Sequence, residues 1–377
     1  MIQRSIQKNI EHWLFRRKVI VIYGARQVGK TTLAEEILKK YPDKQCRYYN
    51  CELLTVKAAF ETTNEEALRK TLGNLELVVL DEAQNIENIG LVLKIIVDTF
   101  PHIQVIATGS SSFDLANKVS EPLTGRVISF ILYPLSLKEI SSQNEYVKIE
   151  AKLEDILRFG AYPEVFDQPE SDARVLLESI ASNYLYKDIL MHEKLKNPKQ
   201  LLELLQLLAL QVGNEVSYHE IGQKLGLSSA TVKKYIDLLS KCFVLFTLPA
   251  FSRNKRKEIG KSVKIYFYDL GIRNVLIQTF NPLKIRNDIG ALWENFCIVE
   301  RLKSNQANQR YVNSYFWRTY KGEEIDYIEE HSGQLDGYEF KWGIQKREYN
   351  PPRAFIDNYE NASVKRIDKN NYYEFLI

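Results

Sequence analysis

Short apolar runs alternate with amphipathic stretches over the first third of the chain. Val19-Ile20-Val21-Ile22-Tyr23 is unbroken, rich in β-branched residues and stops at Gly24, which predicts a strand buried on both faces. A helix is predicted from Lys30 to Lys40. Cys46 to Cys51, Leu77-Val78-Val79-Leu80 and Val105-Ile106-Ala107-Thr108 read as three further strands. This alternation implies a parallel sheet covered on both faces, an α/β fold. From about Leu153 the pattern turns helical, through Leu176 to Leu190. A Leu-rich stretch, Leu201 to Leu210, opens another unit that holds Val216 to Leu239 and ends in the basic segment Arg253 to Lys261. The last section mixes strands (Val263 to Tyr268, Tyr311 to Arg318, Glu324 to Glu329, Tyr338 to Trp342) with one helix, Ala291 to Leu302. No fixed-period repeat is visible.

At 377 residues the chain is long enough for two or three domains of about 150 residues. Hydrophobic residues make up 45% and charged residues 26%, globular values that exclude a disordered or collagen-like chain. Lys and Arg number 51 against 48 Asp and Glu, so the net charge of +3 names no partner. A nucleic-acid surface would have to come from local clustering. Cys46, Cys51, Cys242 and Cys297 form no CxxC pair and read as free thiols in a reducing compartment. No run reaches the roughly 18 apolar residues of a membrane-spanning helix. The longest candidate, Leu91 to Thr108, is broken by Lys94, Asp98 and Pro101. The first residues, with Arg4, Lys8 and Glu11, do not read as a signal peptide. A soluble cytoplasmic protein with no membrane contact is expected.

Gly24-Ala25-Arg26-Gln27-Val28-Gly29-Lys30-Thr31 fits GxxxxGK[ST], with Thr32 beside it. The two glycines let the backbone curl so that successive N–H groups point at phosphate oxygens, and the following helix adds its positive end. Lys30 reaches the outer phosphates, and the Thr31 hydroxyl suits a magnesium ligand. Leu77 to Leu80 then delivers Asp81 and Glu82 to the sheet edge. Asp81 is expected to hold Mg²⁺ through water, and Glu82 to polarise the attacking water as general base. No NKxD-like base-reading motif is visible, so ATP is preferred over GTP. A third strand ends at Thr108-Gly109-Ser110-Ser111. Ser110 is read as a γ-phosphate sensor, with a helix N-cap as the alternative. Arg126 is read as an arginine finger, with a surface ion pair as the alternative; a trans-acting finger would require a homo-oligomer.

Residues 19–31, 77–82 and 108–126 resemble the AAA-type P-loop ATPases of bacteria and archaea that carry a C-terminal domain of unknown function. Arg158-Phe159-Gly160-Ala161-Tyr162-Pro163 matches that family's GGYP-like element, with Ala161 in place of the second glycine. Tyr184 to Ile189 and Val263 to Arg273 read the same way. The resemblance implies an ATPase core, a winged-helix segment and a C-terminal fold similar to restriction-endonuclease-like nucleases.

Val216 to Leu227 reads as a short helix ending at Gly226. Ser228 is a good N-cap for a second helix, Ser229 to Lys241. Val232, Ile236 and Leu239 share its core face, leaving Ser229, Lys233 and Lys234 for a phosphate backbone. Arg253, Lys255, Arg256, Lys257 and Lys261 follow where a wing would lie. DNA binding and domain packing are both compatible with this pattern.

Leu292, Phe296 and Val299 make the apolar face of the helix from Ala291, with Glu294 off that face. Asp326 follows Glu324-Ile325. Glu339 and Lys341 lie on one side of a strand. Asp, then Glu-x-Lys, is the PD-(D/E)xK nuclease pattern, although Ile325 stands where that pattern has Pro. Asp326, Glu339 and the Phe340 carbonyl would bind Mg²⁺, Lys341 would orient or activate water, and Glu294 would hold a metal-bound water. An inactive nuclease-like fold is the alternative. The expected modules are the ATPase core (1–140), a helical lid (141–200), a winged helix-turn-helix (201–262) and an α/β nuclease-like domain (263–377).

Overall fold

The structure, a computed structural model, describes residues 2–110, 123–142, 146–184, 198–252, 263–344 and 349–377. The chain divides into two compact units, Met1–Pro134 with Lys241–Phe243, and Leu135–Ser240 with Val244–Ile377.

The first unit is built on five parallel strands. They are β1 (Val19–Tyr23), β2 (Cys46–Asn50), β3 (Leu77–Asp81), β4 (Gln104–Gly109) and β5 (Val127–Ile131), in the order β2-β3-β4-β1-β5. Every residue of β1, β3 and β4 is buried, which is why their sequences are continuous rather than alternating. Each Val, Ile or Leu side chain so buried contributes roughly 1.5–3 kcal/mol. The helix Lys30–Lys39 starts directly after the glycine-rich loop, and its buried face carries Leu33, Ala34 and Ile37. In a parallel sheet the loops after the strands gather at the carboxyl edge, and that edge receives ligands. Residues 24–29 and Asp81 both lie there, with β4 between their strands. Strand β5 is half-exposed, which hid it from the hydrophobic pattern.

The second unit opens with helices, among them Tyr146–Phe159 and Glu170–Tyr184. The first of these joins Leu270–Leu276 through closely fitted backbone. Asp269 caps that helix by accepting from Ile272 N–H, and its other oxygen accepts from Ala161 N–H at 2.8 Å. A Cβ on Gly160 would lie 2.1 Å from Asp269 Oδ1, and one on Gly271 would lie 2.1 Å from the Phe159 carbonyl oxygen. The Gly160 and Gly271 positions therefore admit no side chain.

Next come Pro198–Leu210, β6 (Glu215–Val216), Tyr218–Leu225, Ser229–Lys241, β7 (Leu245–Pro249) and β8 (Val263–Phe267). The three strands pair antiparallel in the order β6-β8-β7. Gly226, left-handed at φ 65°, ends one helix, and Ser228 Oγ accepts from Thr231 N–H at 3.1 Å to start the next. Val232, Ile236 and Leu239 are fully buried, while Ser229, Lys233 and Lys234 are exposed. The basic segment from Arg253 to Lys261 lies outside the described residues, as do residues 185–190 of the expected helical stretch.

The long helix Ile289–Ala307 then precedes β9 (Asn313–Arg318), β10 (Glu324–His331), β11 (Gln334–Phe340) and β12 (Ala362–Ile367). Their order is β12-β11-β10-β9, antiparallel except for the β11–β12 pair. Strand β11 begins earlier than the pattern suggested. The two-residue turn between His331 and Gln334 places both Ser332 (φ 48°) and Gly333 (φ 79°) at positive φ, the hairpin geometry that matches strand twist. Arg273 and Arg286 both pair with Asp288 at the start of the long helix, at 2.5 and 2.7 Å.

Candidate active site

The loop at the carboxyl end of β1 has the shape its sequence demands. Gly24 (φ 156°), Gln27 (φ 60°) and Gly29 (φ 93°) all take positive φ. A Cβ on Gly24 would sit 2.3 Å from the Leu132 carbonyl oxygen, so glycine is obligatory there. Lys30 is buried and donates to the carbonyls of Gly24 and Ala25 at 3.0 and 2.9 Å. Its ammonium thus points into the curl of the loop. Arg4 braces the outside, donating from Nη1 to Val28 O at 2.7 Å and from Nη2 to Tyr133 O at 2.5 Å.

Asp81 receives three hydroxyl groups. Thr31 Oγ1 donates to its Oδ2 at 2.8 Å, Tyr48 OH to the same oxygen at 2.5 Å, and Thr108 Oγ1 to Oδ1. Burial, then the bond to Asp81, pushes the Tyr48 phenol well above its ordinary range, which keeps it a donor. Thr108 also accepts from Glu82 N–H at 3.1 Å. Glu82 itself is held at φ 51°, a conformation uncommon for a side-chain-bearing residue and concentrated at functional sites. Gln84 Nε2 donates to Glu82 Oε2 at 2.5 Å and lies 3.4 Å from Ser110 Oγ. Lys30, Thr31, Asp81, Glu82 and Ser110 are therefore brought together. Ala25, Arg26, Gln27, Val28 and Thr32 form the loop and the first turn of its helix.

Arg126 is not part of this group. It precedes β5, and its carbonyl accepts from Val19 N–H at the start of β1. That is the amino edge of the sheet, one strand length from the loop. Its Nε pairs with Asp98 Oδ1 at 2.7 Å, both side chains exposed. Strand direction carries Arg126 to the opposite edge, where it makes the surface ion pair that the sequence offers as the alternative to a finger.

The residues fit a magnesium nucleotide. The Gly24 position leaves room only for backbone, a buried ammonium points inward, and an oriented carboxylate lies beside a hydroxyl, the oxygen donors that Mg²⁺ prefers.

In the second unit a cleft of about 570 Å³ is lined by Glu324, Asp326, Glu339, Lys341 and Arg353, among others. Asp326 accepts from Phe340 N–H at 2.8 Å, and burial raises its carboxyl. Burial raises Glu339 too. Lys341 Nζ stands 3.9 Å from Glu339 Oε2. Glu294 is half-buried, on a helix that is buried on most sides. Burial and then the charge of Asp326 push it up to about 7. Its Oε1 accepts from Tyr266 OH at 2.5 Å and from Lys264 Nζ at 3.2 Å. Among the described residues no three His, Cys, Asp or Glu side chains are gathered as metal ligands. Lys264 Nζ stands beside Glu294 and Glu324 in this group, at 3.2 and 2.5 Å.

Tyr48, Thr108, Gln84 and Arg4 escaped the sequence reading, as did Lys264 and Tyr266. Two signals existed: Gln84 follows the Asp81-Glu82 pair closely, and Lys264 and Tyr266 share one side of an otherwise apolar strand.

Residues 16–141 match the family described as an AAA domain. Residues 150–283 match one domain of unknown function, DUF8612, and residues 289–371 another, DUF4143. An uncharacterized protein of Mycobacterium tuberculosis is 27% identical over 343 residues, covering 90% of this chain and 74% of its own length. An uncharacterized protein of Methanocaldococcus jannaschii is 25% identical over 344 residues, 86% and 75% of the two lengths. Among solved structures, a Walker-type ATPase of Pyrococcus abyssi gives a TM-score of 0.49 at 15% identity, over 73% of this chain and 96% of that one. The AAA-domain match and the loop geometry together define residues 16–141 as a nucleotide-binding P-loop ATPase domain. No helix among the described residues is long and apolar enough to cross a membrane.

Proposed function

We propose that the protein hydrolyses MgATP and uses the cycle to change the state of its C-terminal modules on DNA. The observation that carries the first half is the bond from Thr31 to Asp81, which joins the phosphate loop to the carboxylate of β3. In this reading the N–H groups of residues 24–31 cradle the phosphates, and Lys30 leaves its loop carbonyls for the outer phosphate oxygens. Thr31 and Asp81 would hold Mg²⁺, which would neutralise the charge that develops on the phosphates. Glu82 accepts the proton of the attacking water. Gln84 and Ser110 position Glu82 and sense the terminal phosphate. An Arg126 finger would have to come from a second copy in a homo-oligomer.

The DNA half rests on the order helix, strand, two helices, two strands in residues 198–267, that of a winged helix. Its second turn-linked helix exposes Ser229, Lys233 and Lys234. Domain limits at 140, 200 and 262 and a cytoplasmic setting belong to the same proposal. The helix–three strands–helix–strand order of residues 289–367 supports a nuclease-like C-terminal module. One observation favours a second reading, a nucleotide-switched binding protein that cuts nothing: Lys264 stands among the acids that a metal would need.

Turnover by the purified chain tests the core. Lys30→Ala should abolish it, and Glu82→Gln should keep ATP binding while stalling hydrolysis. Normal turnover by Lys30→Ala would remove the assignment. Cutting of DNA with Mg²⁺ or Mn²⁺, lost in Asp326→Ala, would decide between the two readings.

A further inference from the structure

Lys264 is the second residue of β8, and its side chain is 3% exposed. An ammonium so buried is costly unless acids surround it. Here they do. Nζ is 2.5 Å from Glu324 Oε1 on β10 and 3.2 Å from Glu294 Oε1 on the helix Ile289–Ala307. Burial alone would lower its pKa, but Glu294, Asp326 and Glu324 together hold it above the ordinary lysine value. Around it lie the Phe316 ring, 5.5 Å away, Tyr266, whose hydroxyl donates to Glu294, and its β6 register partner Glu215, which pairs with Arg318 at 3.0 Å.

A divalent ion at this place would need several of the same oxygens, and would take them as ligands. The ammonium already uses one oxygen each from Glu294 and Glu324, and its charge offsets that of Asp326. A metal entering here would have to displace a buried cation that the fold itself delivers.

We propose that Lys264 is the resident cation of the C-terminal acidic cluster, occupying the place of a divalent metal and tying β8 to β10 and the long helix. The cluster is then a tether between the three-stranded and four-stranded sheets of this unit, closed to metal while Lys264 is present. This extends the second reading above and is independent of the ATPase assignment, which Lys30→Ala tests separately.

The experiment uses the full chain without nucleotide and Mn²⁺ as the probe, with free Mn²⁺ followed by electron paramagnetic resonance and Tm followed in parallel. Wild type and Asp326→Asn should take up the same Mn²⁺. Lys264→Met should gain a bound Mn²⁺ and a Tm that rises with Mn²⁺ and falls again with chelator. The double variant Lys264→Met, Asp326→Asn should lose both gains. Lys264→Arg, which keeps the charge, should behave as wild type. Uptake by wild type that Asp326→Asn abolishes would overturn the proposal and favour a metal nuclease, and that comparison decides even if Lys264→Met fails to fold. A folded Lys264→Met chain that gains no Mn²⁺ would overturn it equally.

Discussion

Thr31 Oγ1 donates to Asp81 Oδ2 at 2.8 Å, across the gap between the phosphate-loop helix and β3. If Thr31 and Asp81 hold Mg²⁺ as proposed, both oxygens turn to the metal and this bond is what replaces it at rest. Thr31→Ala should therefore lose most Mg²⁺-dependent turnover, about a hundredfold or more, while nucleotide binding measured in chelator changes little. Equal losses with and without Mg²⁺ would contradict a metal role for Thr31.

Thr108 is completely buried and serves Asp81 and the Glu82 backbone at once. Thr108→Val keeps the shape but removes the hydroxyl. It should lower kcat by about ten- to a hundredfold with a small change in KM, because it disorders the acids rather than the loop. The unmatched groups should also cost about 1–3 kcal/mol of stability. Steady-state kinetics and denaturant unfolding of the variant check both.

Gly24→Ala would force a methyl against the Leu132 carbonyl oxygen. The end of β5 must then move or the loop must open. Nucleotide affinity should fall below detection by calorimetry, with a stability loss of about 2 kcal/mol or more. Normal affinity would mean the loop is softer than its contacts imply.

Asp288 offers a pH test away from either site. Burial acts to raise its carboxyl, but bonds from Arg286 and Arg273 prevail and bring it from 3.8 down to about 2. The unfolded chain takes up the proton near pH 4, the folded chain only near pH 2. Stability from this carboxylate is thus complete above pH 4 and disappears as pH falls toward 2. Asp288→Asn should cost about 2 kcal/mol at pH 7 and almost nothing at pH 2. Urea melts of the two proteins across that range check this, and a gap that stays constant with pH would exclude the Asp288 carboxylate as its source.

Exposed Lys233 and Lys234 lie on the helix that would face a DNA backbone. Replacing both by Ala should reduce the slope of log affinity against log salt by about one per lysine. Fluorescence anisotropy with a short duplex measures this, and an unchanged slope would remove this face as the contact.

The phosphate loop was readable because its information is local: glycine spacing, a buried strand before it and a helix after it. Asp81 and Glu82 were readable because they end an apolar run. Their partners were not, because Tyr48 and Thr108 sit on β2 and β4, and only the order β2-β3-β4-β1-β5 places them on either side of Asp81. Strand direction likewise decided Arg126, whose neighbours in sequence said nothing about which edge it would reach. Strands β5 and β12 were missed because both are half-exposed and carry polar residues, Ser129 in one and Lys365 and Arg366 in the other. The sequence placed Glu294 off the apolar stripe but could not show its neighbours, Lys264 and Tyr266, because these come from β8.

Gly160 against the Asp269 carboxylate, and Gly271 against the Phe159 carbonyl, make a joint in which neither glycine position has room for a side chain. Such a joint does not slide or bend by small rotamer adjustments. Any swivel within this unit must have its pivot elsewhere, and residues 157–161 will travel with 269–276 as a single stiff lever.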